Sequence, residues 1–64
     1  MNIEYGQWER GLLPVIVDGE PAGFLSEDVD GWVFWKTVPN HPNRFAMHNV
    51  AGTRKAAVTG TPDL

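Results

Sequence analysis

Trp32-Val33-Phe34-Trp35-Lys36-Thr37-Val38 sets three aromatic residues and two valines into seven positions. Residues of this kind fit a pleated, half-buried surface, so the stretch predicts the central or longest β-strand. Strand alternation sends Trp32, Phe34, Lys36 and Val38 to one face and Val33, Trp35 and Thr37 to the other. Both faces are apolar, whereas a strand with one solvated face alternates apolar with polar. Each face therefore needs a cover: the protein's own helix on one, and a loop, a second subunit or a partner on the other.

The chain has 64 residues and reads as one small domain, 1–64. A domain of that size buries only about 60% of the surface its unfolded chain exposes, which leaves it marginally stable. Small domains usually add disulfides, a metal or oligomerisation. With no cysteine in the chain, disulfides and thiolate zinc sites are excluded, so oligomerisation is the expected support. The apolar content of 42% suffices for a core. The start, Met1-Asn2-Ile3-Glu4, lacks the basic residues and long apolar run of a secretory leader, and Leu12 to Val17 is too short to span a bilayer. The expectation is a soluble, cytoplasmic chain with no membrane partner.

The net charge of −3 is unevenly spread. Residues 1–31 carry seven acids (Glu4, Glu9, Asp18, Glu20, Glu27, Asp28, Asp30) against Arg10, and residues 32–64 carry Lys36, Arg44, Arg54 and Lys55 against Asp63. Two explanations compete: attraction between the halves of one fold, and a bipolar surface that steers a charged partner or a second copy.

Residues 1–11 alternate weakly through Ile3, Tyr5 and Trp8 and predict an N-terminal arm or an edge strand. Leu12 to Val17, Asp18-Gly19 and Glu20 to Leu25 form a hairpin signature, because Asp-Gly suits the two positive-φ positions of a type I′ turn. The two-residue loop pairs Val17 with Glu20, Val15 with Ala22 and Leu13 with Phe24, leaving Ile16 with Pro21 and Pro14 with Gly23. It also predicts that Pro14 lies on a sheet edge. Ser26 to Gly31 reads as a second, acidic turn into the aromatic strand, which completes a three-stranded meander over 12–38. Residues 39–52 read as a loop around Pro39-Asn40-His41-Pro42-Asn43, with 44–50 compatible with strand or helix. Thr53 is the expected N-cap of a short helix, 53–59, whose Ala57 and Val58 face the sheet, with Gly60 as its C-terminal stop. Residues 60–64 form a tail. The fold expected is α+β, a three-stranded antiparallel β-meander followed by one short α-helix (βββα); the alternative is a small all-β five-stranded barrel.

Chemistry-bearing patterns are sparse. Glu27, Asp28 and Asp30 lack the length and closing bidentate glutamate of a Ca²⁺ loop. His41 and His48 have no third ligand beside them. Ser26 is the only serine and lies in no nucleophile motif. No catalytic, metal or cofactor site is therefore expected, and an enzyme is the least favoured class.

The order of hairpin, Asp-Gly-Trp strand, proline-rich loop and Thr-Arg-Lys-Ala-Ala-Val helix, over roughly residues 12–59, resembles small accessory proteins of phages and actinobacterial genomes. That resemblance implies a sheet-plus-helix fold. The outline is also similar to the three-stranded DNA-binding domain of some tyrosine recombinases, although the first two strands here carry Asp18 and Glu20 and no lysine or arginine. The expected function is a non-enzymatic module that binds a protein partner or a second copy through Trp32, Phe34, Trp35, Lys36 and Trp8. The alternative is nucleic-acid binding, with the aromatic residues stacking on bases and Lys36, Arg44, Arg54 and Lys55 contacting phosphates. The overall acidity weighs against that alternative.

Overall fold

The computed structural model describes residues 1–38 and 41–61, without the side chains of 41–45, 47 and 48. Its framework begins at the expected hairpin. Strands β2 (Leu13–Val17) and β3 (Glu20–Asp28) are joined by Asp18 and Gly19, whose φ angles of 51° and 83° are the two positive values a type I′ turn requires. Val17 pairs with Glu20 and Ile16 with Pro21, as the loop length dictates.

Beyond those two pairs the expected register fails. Val15 pairs with Gly23, Pro14 with Phe24 and Leu13 with Leu25, so Ala22 is the extra residue of a β-bulge. Gly23 makes the irregularity possible: its φ is 156°, and a Cβ there would run into the carbonyl oxygen of Trp35 on the next strand. A slip of one residue exchanges the faces of everything beyond it. Leu25, rather than Phe24, joins Leu13 in the core, and Phe24 goes to the opposite side.

β3 continues to Asp28, so most of the acidic stretch is strand and the turn is only Val29-Asp30. The Val29 N–H donates to Asp28 Oδ1 at 2.7 Å. β4 (Gly31–Val38) follows and is the aromatic strand. It pairs in turn with β5 (His41–Ala51), which takes up 41–51 of the expected 39–52 loop and decides 44–50 in favour of strand, while 39 and 40 lie outside the described residues. β1 (Ile3–Tyr5) pairs with β2 through Ile3–Val17, Glu4–Ile16 and Tyr5–Val15, so the N-terminal residues supply an edge strand.

The result is a five-stranded antiparallel sheet in the order β1-β2-β3-β4-β5. It extends the expected three-stranded meander by one strand on each side. The sheet is open, since β1 and β5 are its two edges, and the barrel alternative is not realised. Pro14 is not on an edge strand, because β2 lies between β1 and β3. Its ring is accommodated because β1 stops at the Tyr5–Val15 pair, after which the Pro14 carbonyl accepts from the Gly6 N–H at 2.9 Å.

Helix α1 (Arg54–Thr59) closes one face of this sheet. The Thr53 hydroxyl accepts from the Ala56 N–H at 3.2 Å, which satisfies one of the amides left open at a helix start. Ala57 and Val58 are buried, as expected. Gly60 ends the helix in a right-handed conformation, φ −77°, so positive φ is not why glycine stands there. A Cβ at that position would collide with the side-chain amide of Asn49 on β5, which donates to the carbonyls of Ala56 at 3.0 Å and Ala57 at 3.1 Å. Thr61, expected in a tail, is buried and donates to the Ala57 carbonyl at 3.0 Å. The core is Leu13, Val15, Leu25, Phe34, Ala57 and Val58, flanked by Ile3, Val17, Ala22, Trp32 and Ala51.

Candidate functional site

Two aromatic surfaces emerge, one on each face of the sheet. The first is built by the segment that follows β1. Arg10 and Gly11 have φ angles of 53° and 80°, and Glu9 and Leu12 exchange both backbone hydrogen bonds, at 2.9 and 3.0 Å. This tight reversal folds Trp8 back over the sheet, with its ring centroid 5.9 Å from that of Trp32. Arg54, the first residue of α1, extends its guanidinium alongside these two rings and over that of Tyr5. The guanidinium carbon lies 4.7 Å from the Trp32 centroid, 5.6 Å from Tyr5 and 5.9 Å from Trp8.

Each such contact contributes about 0.5–1 kcal/mol when exposed and about 2 kcal/mol when desolvated. The start of a helix does not itself favour a cation, and among the described residues no carboxylate or carbonyl accepts from Arg54. Three π-faces hold it. Tyr5 and Trp8 keep 37% and 49% of their surface in solvent, so the cage is open on its outer side.

The second surface lies on the other face. Cross-strand pairing lines up Pro14, Phe24 and Trp35 on β2, β3 and β4, all half-buried, with the buried Val33 and the exposed Val50 paired alongside and Ile16 beyond Pro14. The Trp35 indole N–H donates to the Ser26 hydroxyl at 2.8 Å, which satisfies its one donor and leaves the ring half-buried. α1 and the Trp8 segment both lie on the Phe34 side. No described element crosses the face that carries Trp35. By alternation, Glu4 and Asp28 are its charged members in β1 to β4, and they sit on the edge strand and at the end of β3.

The expected site residues thus separate. Trp8 and Trp32 belong to the cage, and Trp35 belongs to the open face. Phe34 has no exposed surface and serves the core rather than a contact surface. Lys36 is half-buried and borders a hollow shared with Asp18, Glu20 and Pro21. Arg54 is taken up by the rings, and Lys55 lines a different hollow with Met1, Ile3 and Tyr5. The side chain of Arg44 lies outside the described residues, as do those of His41 and His48. Sequence reasoning missed Tyr5 as a partner of Arg54, Phe24 as the cross-strand neighbour of Trp35, and Pro14 as the neighbour of Phe24. The first could have been found from Arg10-Gly11, a second turn-forming pair, and the others from Gly23, since a glycine inside a strand signals a bulge.

Among the described residues, no three His, Asp or Glu side chains group as metal ligands, and no helix is long and apolar enough to cross a membrane. The chain matches no family model, and neither the curated proteins nor the solved structures gave a match.

Proposed function

We propose that this is a non-enzymatic protein-interaction module whose open sheet face docks on a second copy of the chain, sheet against sheet. The observation that carries this reading is the half-buried apolar row Pro14–Phe24–Trp35, continued on its outer side by the exposed Val50, on a face that no described helix or loop crosses. A contiguous apolar surface of that kind is the usual mark of an interaction site.

A second copy fits because the centre of the face carries no charge among the described side chains, so placing the same patch on both sides of a two-fold axis brings no like charges together. The resemblance to phage accessory proteins suggests a setting in which small modules act by contact rather than by catalysis.

Sedimentation equilibrium over a hundredfold range of concentration tests the reading. The expected result is a rise from monomer to dimer mass that is insensitive to salt and lost in Trp35→Glu and Val50→Glu. A mass fixed at the monomer value in the intact chain, with no binding of a hydrophobic-patch dye, overturns it. A monomer that does bind the dye overturns self-association and points to a different protein as the partner.

A further inference from the structure

The cage on the opposite side of the sheet has features that its present occupant does not use. We propose that Tyr5, Trp8 and Trp32 form a binding site for a methylated ammonium group, with Arg54 as an internal occupant that such a ligand displaces.

The argument rests on what the site supplies and what it lacks. Three ring faces converge on one cation at 4.7 to 5.9 Å, within the range at which the ring quadrupole attracts positive charge. A guanidinium carries five N–H donors that call for acceptors, and among the described residues none accepts from Arg54. A quaternary ammonium has no N–H to satisfy and presents an apolar, positively charged surface. That is the one kind of cation for which π-faces alone are a complete set of partners. Access is also provided: Tyr5 and Trp8 are partly exposed, and Trp8 stands on a short loop rather than inside the sheet. Arg54 leaves the cage by rotating about its own side-chain bonds, with no change in the backbone of α1.

The ligand chemistry is common to free choline-type compounds and to trimethylated lysine side chains. The first probe is therefore tetramethylammonium chloride, titrated against tryptophan fluorescence with sodium chloride as the ionic-strength control. The intact chain is expected to show a saturable change that sodium does not reproduce. Arg54→Gln should bind about tenfold more tightly, because the internal competitor is gone, and Trp8→Leu should abolish the response. Choline and a trimethyllysine peptide then distinguish the two sources. If Arg54→Gln is folded by circular dichroism and shows no saturable response, or one equal to that with sodium, the proposal fails. If Arg54→Gln does not fold, the intact chain and Trp8→Leu decide alone: a response in the first that is absent in the second supports the site, and identical responses refute it.

Discussion

Phe34 and Trp35 are neighbours in one strand, yet the first sits beneath α1 with no surface exposed while the second is half-buried and donates its indole N–H to Ser26. Aromatic content does not separate their two faces. What separates them is the placement of α1 and of the folded-back Trp8 segment, both of which lie on the Phe34 side.

The largest effect should come from breaking the closed face directly. Phe34→Ala removes a ring from a fully packed site and is expected to cost about 3–5 kcal/mol, most of the stability of a domain this small. Trp35→Ala, measured at concentrations where the chain is monomeric, should cost about 1–2 kcal/mol, from partial burial and one hydrogen bond. Chemical denaturation of both variants makes the comparison, and equal losses would mean that the two faces are equally closed. Next comes the bulge that assigns residues to faces. Gly23→Ala drives a methyl group into the Trp35 carbonyl and should cost about 1–3 kcal/mol from overpacking, with positive φ adding to it. A melting temperature unchanged by that substitution would rule out the bulge. An effect as small as that of Trp35→Ala concerns the attachment of the helix. Asn49→Ala removes both side-chain hydrogen bonds to the Ala56 and Ala57 carbonyls and should cost about 1–2 kcal/mol. Amide exchange should quicken in 56–60 and not in β2 or β3; a uniform change would show that Asn49 supports the whole sheet instead.

Much of this arrangement was legible in the residues themselves. Asp18-Gly19 specified its turn, Thr53 and Gly60 bracketed the helix, and the alternation of 32–38 put Phe34 and Trp35 on opposite faces. The rest depended on neighbours in space. Met47 and Ala46 carry no strand preference of their own, and they are strand because β4 offers an unpaired edge to that segment. Local turn chemistry fixed only the first two hairpin pairs. The bulge at Ala22 arose from Gly23 meeting the backbone of β4, a contact between residues 12 apart in sequence. Three aromatics joined around Arg54 from β1, a loop, β4 and α1, and no sequence spacing announces that meeting.

The meander also has a temporal side. Every strand pairs with the strand before it in the chain, so each hairpin needs only local chain closure, which costs little entropy and favours rapid folding. Ala57 and Val58 are the exception, since they reach the core from a helix that needs the sheet as its platform. The sheet can therefore form hairpin by hairpin while Leu25 and Phe34 stay uncovered until α1 docks. Until then both faces expose apolar side chains, so the docking of α1 is the step at which folding competes with aggregation.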